Sequence, residues 1–129
     1  MGWDASAALD GEPLAMSAEY WSTRDLPLRT AFERAEQELS LRFGGRCEYL
    51  ASGQLSGSCQ REMFERAIGM KVDLLGDGEA YLPPEDLAKM TAIIDWKFEC
   101  PSDREVEYWM VRRFIEACLA NNLGIYMSW

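Results

Sequence analysis

Apolar residues recur at the helical period between residues 25 and 43: Leu28, Ala31, Phe32, Ala35, Leu39 and Phe43, with Glu33, Arg34, Glu36, Glu38 and Arg42 between them. Gly44-Gly45 stops that helix. A second helix is predicted from Ser58 to Ile68, with Met63, Phe64, Ala67 and Ile68 inward and Arg61, Glu62, Glu65 and Arg66 outward. Pro83-Pro84 opens a third. Proline suits a first helical turn, and Glu85 and Asp86 sit well against the positive end of the helix dipole. Its stripe is Leu87, Met90, Ile94 and Phe98, with Ile93 and Trp96 beside it. Ser102-Asp103-Arg104-Glu105 has the form of a capping box before a fourth helix. That helix carries Val106, Trp109, Met110, Phe114, Ala117 and Cys118, and Asn121-Asn122 and Gly124 close it.

The strand signals are shorter. Asp10-Gly11 lies between two mildly apolar runs and predicts a hairpin, with Pro13 weakening its second strand. Cys47 to Ala51 suits a short strand, and residues 52–58 a flexible loop. Residues 70–82 carry the strongest hairpin signal: Val72, Leu74 and Leu75 before Gly76-Asp77-Gly78, then Ala80, Tyr81 and Leu82. The last residues, Ile125 to Trp129, are β-prone and suit an added strand. The sum is a single α+β domain over residues 1–129, with about four helices and a small, mostly antiparallel sheet.

Composition narrows the chemistry. The chain has 129 residues, 22 acids, 13 bases and no histidine, for a net charge of −9. Without histidine there is no Ser-His-Asp triad, no imidazole base and no His-containing zinc site. Nucleic-acid affinity comes mostly from Lys and Arg, so a direct nucleic-acid contact is not expected. Cys47, Cys59, Cys100 and Cys118 match no metal-binding spacing, and Gly76-Asp77-Gly78-Glu79 lacks the remaining ligands of a calcium loop. No metal, cofactor or catalytic residue is therefore expected. Four cysteines permit two disulfides, but no signal peptide precedes Arg24. Reduced thiols and a cytoplasmic location are the expectation, with Cys118 in the core and Cys47 and Cys59 exposed. No apolar run approaches membrane-spanning length, and the loose acylation pattern at Met1-Gly2 has no basic residue near it.

The charge is uneven. Residues 1–19 hold Asp4, Asp10, Glu12 and Glu19 and no base, and residues 73–107 hold ten acids against three bases. Some of these acids suit helix N-termini. The rest make residues 73–107 a candidate docking face for a basic protein, because gathered like charges repel one another and steer in a partner of opposite sign. The candidate partner-binding residues are Asp73, Asp77, Glu79, Glu85, Asp86, Asp95, Glu99 and Asp103, with Trp96 as an aromatic anchor. Of the five tryptophans, Trp96 and Trp109 suit the core, whereas Trp3, Trp21 and Trp129 lie near the ends, where an exposed ring could serve as a contact.

In these respects the chain resembles the small acidic immunity proteins that bacteria pair with secreted antibacterial toxins. Its ends, Met1-Gly2-Trp3-Asp4 and Asn122-Leu123-Gly124-Ile125-Tyr126, are similar to short uncharacterised bacterial proteins of that sort. The resemblance implies a protein that binds and blocks one toxin with a cationic cleft. Two other readings stay open: a phage-type inhibitor that mimics DNA, against which the interleaved arginines of residues 20–72 count, and a small enzyme or ligand-binding domain with a deep polar pocket.

Overall fold

The computed structural model describes residues 2–14, 26–44, 50–94 and 100–129. Five antiparallel strands form one curled sheet: β1 (Asp4–Leu9), β2 (Glu12–Pro13), β3 (Gln54–Ser56), β4 (Glu79–Leu82) and β5 (Gly124–Ser128). β5 lies along one edge of β1 and carries β4 on its other side. The opposite edge of β1 is shared, with β3 beside its start and β2 beside its end. Four helices accompany the sheet: α1 (Leu26–Phe43), α2 (Ser58–Ile68), α3 (Pro84–Ile94) and α4 (Glu105–Ala120). The expected α+β domain with four helices and a small antiparallel sheet is what the chain forms.

Side-chain alternation decides which sheet face meets the helices. Ala5, Ala7, Leu55, Leu82, Ile125 and Met127 turn to one face and join the core. They meet Phe32 and Leu39 of α1, Met63 and Phe64 of α2, Leu87 of α3, and Val111, Phe114 and Ile115 of α4 in one continuous cluster. Ring contacts fix its centre: Phe32 and Phe114 lie 5.8 Å apart, and Trp3 and Phe64 lie 5.4 Å apart. Arg113 of α4 fastens the rim by donating to both carboxylate oxygens of Glu38 on α1, at 3.1 and 3.0 Å. The planar guanidinium suits such a two-point contact.

Asp10-Gly11 makes the predicted tight turn. Its backbone φ angles, 52° and 85°, are both left-handed, as a two-residue hairpin of this type requires. Pro13 stands in a strand of only two residues. Four expectations need correction. Residues 70–75 do not form the first strand of a hairpin. Val72–Leu74 is a 3₁₀ turn, which buries Val72, turns Leu74 outward and lets the Val72 N–H donate to the Glu65 carboxylate at 2.8 Å. Within residues 52–58, Gln54–Ser56 is a strand rather than loop, since β1 offers it a free edge. Leu50–Ser52 is also a 3₁₀ turn rather than strand, and residues 47–49 lie outside the described residues. α4 begins at Glu105 with Arg104 before it and no side-chain cap, so Ser102 lies too early to close a capping box.

Candidate functional site

The face of the sheet turned away from the helices has its own composition. Register places Ser56, Asp4, Ser128 and Glu79 in one row across β3, β1, β5 and β4. The next row on that face is Gln54, Ser6, Tyr126 and Tyr81, and the third contains Pro13, Ala8 and Gly124. None of these side chains joins the continuous apolar cluster under the helices, although Ala8 is itself fully buried. The five strands contain Asp4, Glu12 and Glu79 and no basic residue.

The face is built around small residues at its middle. Ser6 and Ala8 are buried, 5% and 0% exposed. Tyr81 leans across Gly124 so closely that an added Cβ there would fall 2.7 Å from the tyrosine hydroxyl oxygen and 2.6 Å from the Leu82 carbonyl oxygen. Both carboxylates of the first row are held by hydroxyls. The Ser56 hydroxyl donates to Asp4 at 2.7 Å, and the Tyr126 hydroxyl donates to Glu79 at 2.7 Å. That second bond holds the Tyr126 phenol above its ordinary pKa, aided by partial burial and the carboxylate charge. Asp4 and Glu79 are separated by one strand, or about 10 Å at the usual strand spacing.

At the other end of β4 an open cleft of about 430 Å³ is lined by Asp10, Tyr81, Pro83, Glu85 and Asn122 among others. Two carboxylates, a phenol and an amide around one hollow suit an ammonium or guanidinium group, for which all four offer acceptors. Asp10 comes from the β1–β2 turn and Glu85 from the first turn of α3, so two acidic stretches far apart in sequence share this cleft.

The candidate residues divide accordingly. Glu79 lies on the face, Asp77 in the turn leading into it, and Glu85 and Asp86 open α3 at the far end of β4. Asp73 is turned toward α2, where its carboxylate accepts from Arg61 at 3.0 Å. Asp103 neighbours Arg104, which is bonded to Glu62. Asp95, Trp96 and Glu99 lie outside the described residues, as do Trp21 and Cys47. Trp3 does not serve as an exposed ring: it is 1% exposed against Phe64. Trp109 is half-buried, with the guanidinium carbons of Arg42, Arg112 and Arg113 each within 5.0 Å of its ring centre. Sequence reasoning does not bring Asp4, Tyr81 and Tyr126 to the face, or Asp10 to the cleft. The alternating pattern of the β-prone C-terminal strand was the available signal for Tyr126. Leu74 is 72% exposed and projects from the 3₁₀ turn rather than from a strand.

Comparison with protein-family models, curated proteins and solved structures returned no match for this chain.

Proposed function

We propose that this protein is a binding inhibitor of immunity type, which occupies a cationic cleft of a basic protein through the acidic outer face of its sheet. The observation that carries the reading is that face: Asp4 and Glu79 in one row, Tyr126 and Tyr81 in the next, and no base on any strand. Such a surface has the ingredients of a protein contact, since it sets two aromatic side chains beside two carboxylates. Tyr126 and Glu79 are already tied to one another, so less side-chain freedom is lost on binding. The cleft at Asp10 and Glu85 supplies a receptor for one protruding Lys or Arg side chain of the partner. A toxin acting on phosphate-rich substrates has a cationic cleft of the matching sign, and the resemblance to immunity proteins points to that class.

The test is co-expression with a candidate toxin, followed by co-purification at increasing salt. Reversing charge at Asp4, Glu79 and Glu85 should abolish capture, whereas reversal at Asp73 and Asp103 should leave it intact. Capture that ignores the first set and salt alike would defeat the proposal.

A further inference from the structure

The sequence pattern places a partner strand at residues 70–75 beside β4, and the structure coils that segment into a 3₁₀ turn instead. Among the described residues β4 is consequently the last strand of the sheet on its side. The Trp129 N–H donates to the Gly78 carbonyl at 2.8 Å, in register with Glu79 opposite Ser128. In an antiparallel ladder the bonded positions alternate, so Ala80 and Leu82 turn their backbone groups to β5 while Glu79 and Tyr81 turn theirs to the outer edge. The Glu79 carbonyl is covered by its own turn, since a Cβ on Gly76 would stand 2.3 Å from that oxygen. Among the described residues nothing pairs with the N–H and C=O of Tyr81.

Resting on the binding function proposed above, we infer that the outer edge of β4 takes an extended, Lys- or Arg-rich segment of the basic partner as an additional strand. An unpaired edge is a template for such pairing, whether with another protein or with a copy of itself. The charge decides between the two. Residues 72–88 contain Asp73, Asp77, Glu79, Glu85 and Asp86 and no base. A second copy would set these acids against one another across the new ladder, where facing like charges destabilise. A strand with bases at alternate positions instead lays them beside Glu79 on the outer face and directs the next toward the cleft at Asp10 and Glu85.

The experiment uses the full isotope-labelled chain and an acetylated peptide of alternating Lys and Val, at low salt, with amide hydrogen exchange read by NMR. At saturation the Tyr81 amide should exchange about tenfold more slowly or less, as expected for a newly formed backbone bond, while the amides of Ala80 and Leu82 stay as they were. A version of the peptide methylated at alternate backbone nitrogens should bind about tenfold more weakly, because it lacks the ladder donors. A Tyr81 amide that still exchanges freely at saturation overturns the inference. So does equal binding of the methylated peptide; in both cases the side chains of the face do the holding, and the proposed function survives. Absence of any peptide binding also overturns the edge inference, and the charge-reversal captures then judge the function separately.

Discussion

Gly124→Ala tests the packing that shapes the outer face. Gly124 lies at the start of β5, beneath Tyr81, and its φ is not in the left-handed region, so the backbone itself accepts alanine. The obstacle is space. The new methyl would fall 2.6 Å from the Leu82 carbonyl oxygen, 2.7 Å from the Tyr81 hydroxyl oxygen and 2.9 Å from the ring carbon that bears it. The ring can swing outward, but the carbonyl belongs to the neighbouring strand and moves only if β4 and β5 part. Overpacking of this kind costs about 1–3 kcal/mol. The lost flexibility of the unfolded chain returns about 0.4–1 kcal/mol. A net loss of about 1–2 kcal/mol follows, which at a urea slope of about 2 kcal/mol/M lowers the unfolding midpoint by roughly 0.5–1 M. Tyr81→Phe removes one of the three contacts and should rescue little of the loss. Tyr81→Ala removes two and should rescue more, though the Leu82 carbonyl still stands in the way. An unchanged or raised midpoint in Gly124→Ala would refute the reasoning, and so would full rescue by Tyr81→Phe.

Three further outcomes follow from specific contacts. The Arg113 guanidinium holds Glu38 below the usual carboxylate range by hydrogen bonding, against a smaller opposing effect of burial, so Glu38 stabilises the fold at neutral pH and that contribution is lost as the pH falls through its folded pKa. Glu38→Gln should therefore flatten the acid limb of a stability–pH curve below about pH 4.3, the ordinary glutamate value, by no more than about 1 kcal/mol because the pair is partly exposed. In thiol labelling followed by mass mapping, of the three cysteines among the described residues exposed Cys59 should react first, half-buried Cys100 more slowly, and Cys118, whose thiol burial pushes far up, only on unfolding. Leu74→Ser should shift the urea midpoint by less than an amount equivalent to about 0.5 kcal/mol, since the side chain is 72% exposed; a core-sized loss would mean that the 3₁₀ turn is not what places it outside.

The helices were legible because their stripes are long and their caps local. Phe32 and Leu39, or Phe114 and Cys118, name their own inward face from spacing alone, and Gly44 and Pro84 mark ends without any tertiary information. The short strands were not. Gln54–Ser56 carries one apolar residue, Leu55, and becomes a strand because the edge of β1 is free at that point. Residues 72–75 have a strand-like composition, yet a glutamate seven residues earlier captures the Val72 N–H and draws the chain into a turn. Neither event leaves a mark within the segment it governs, so a local pattern cannot report it.

The same reason limits what a count of charges along the chain says about a surface. Counted by segment, the N-terminal acids and the acids of residues 73–107 are separate groups, and Asp73 ranks with Glu79. In three dimensions the division falls elsewhere. β1 and β4 both pair with β5, and their registers set Asp4 and Glu79 in one row on either side of Ser128. The Asp10-Gly11 turn then lies against the start of α3, which adds Asp10 to Glu85. Asp73, only six residues from Glu79, turns to Arg61 and is partly neutralised. An acidic surface is therefore made by the pairing order of a sheet in which the C-terminal strand lies between β1 and β4. Strand register, rather than charge density along the chain, determines which carboxylates act together. It follows that a substitution that breaks the β5 ladder without touching any acid, such as Met127→Pro, should abolish recognition by the face as fully as reversal of Asp4 and Glu79, a comparison that the co-purification assay makes directly with circular dichroism verifying that the helices persist.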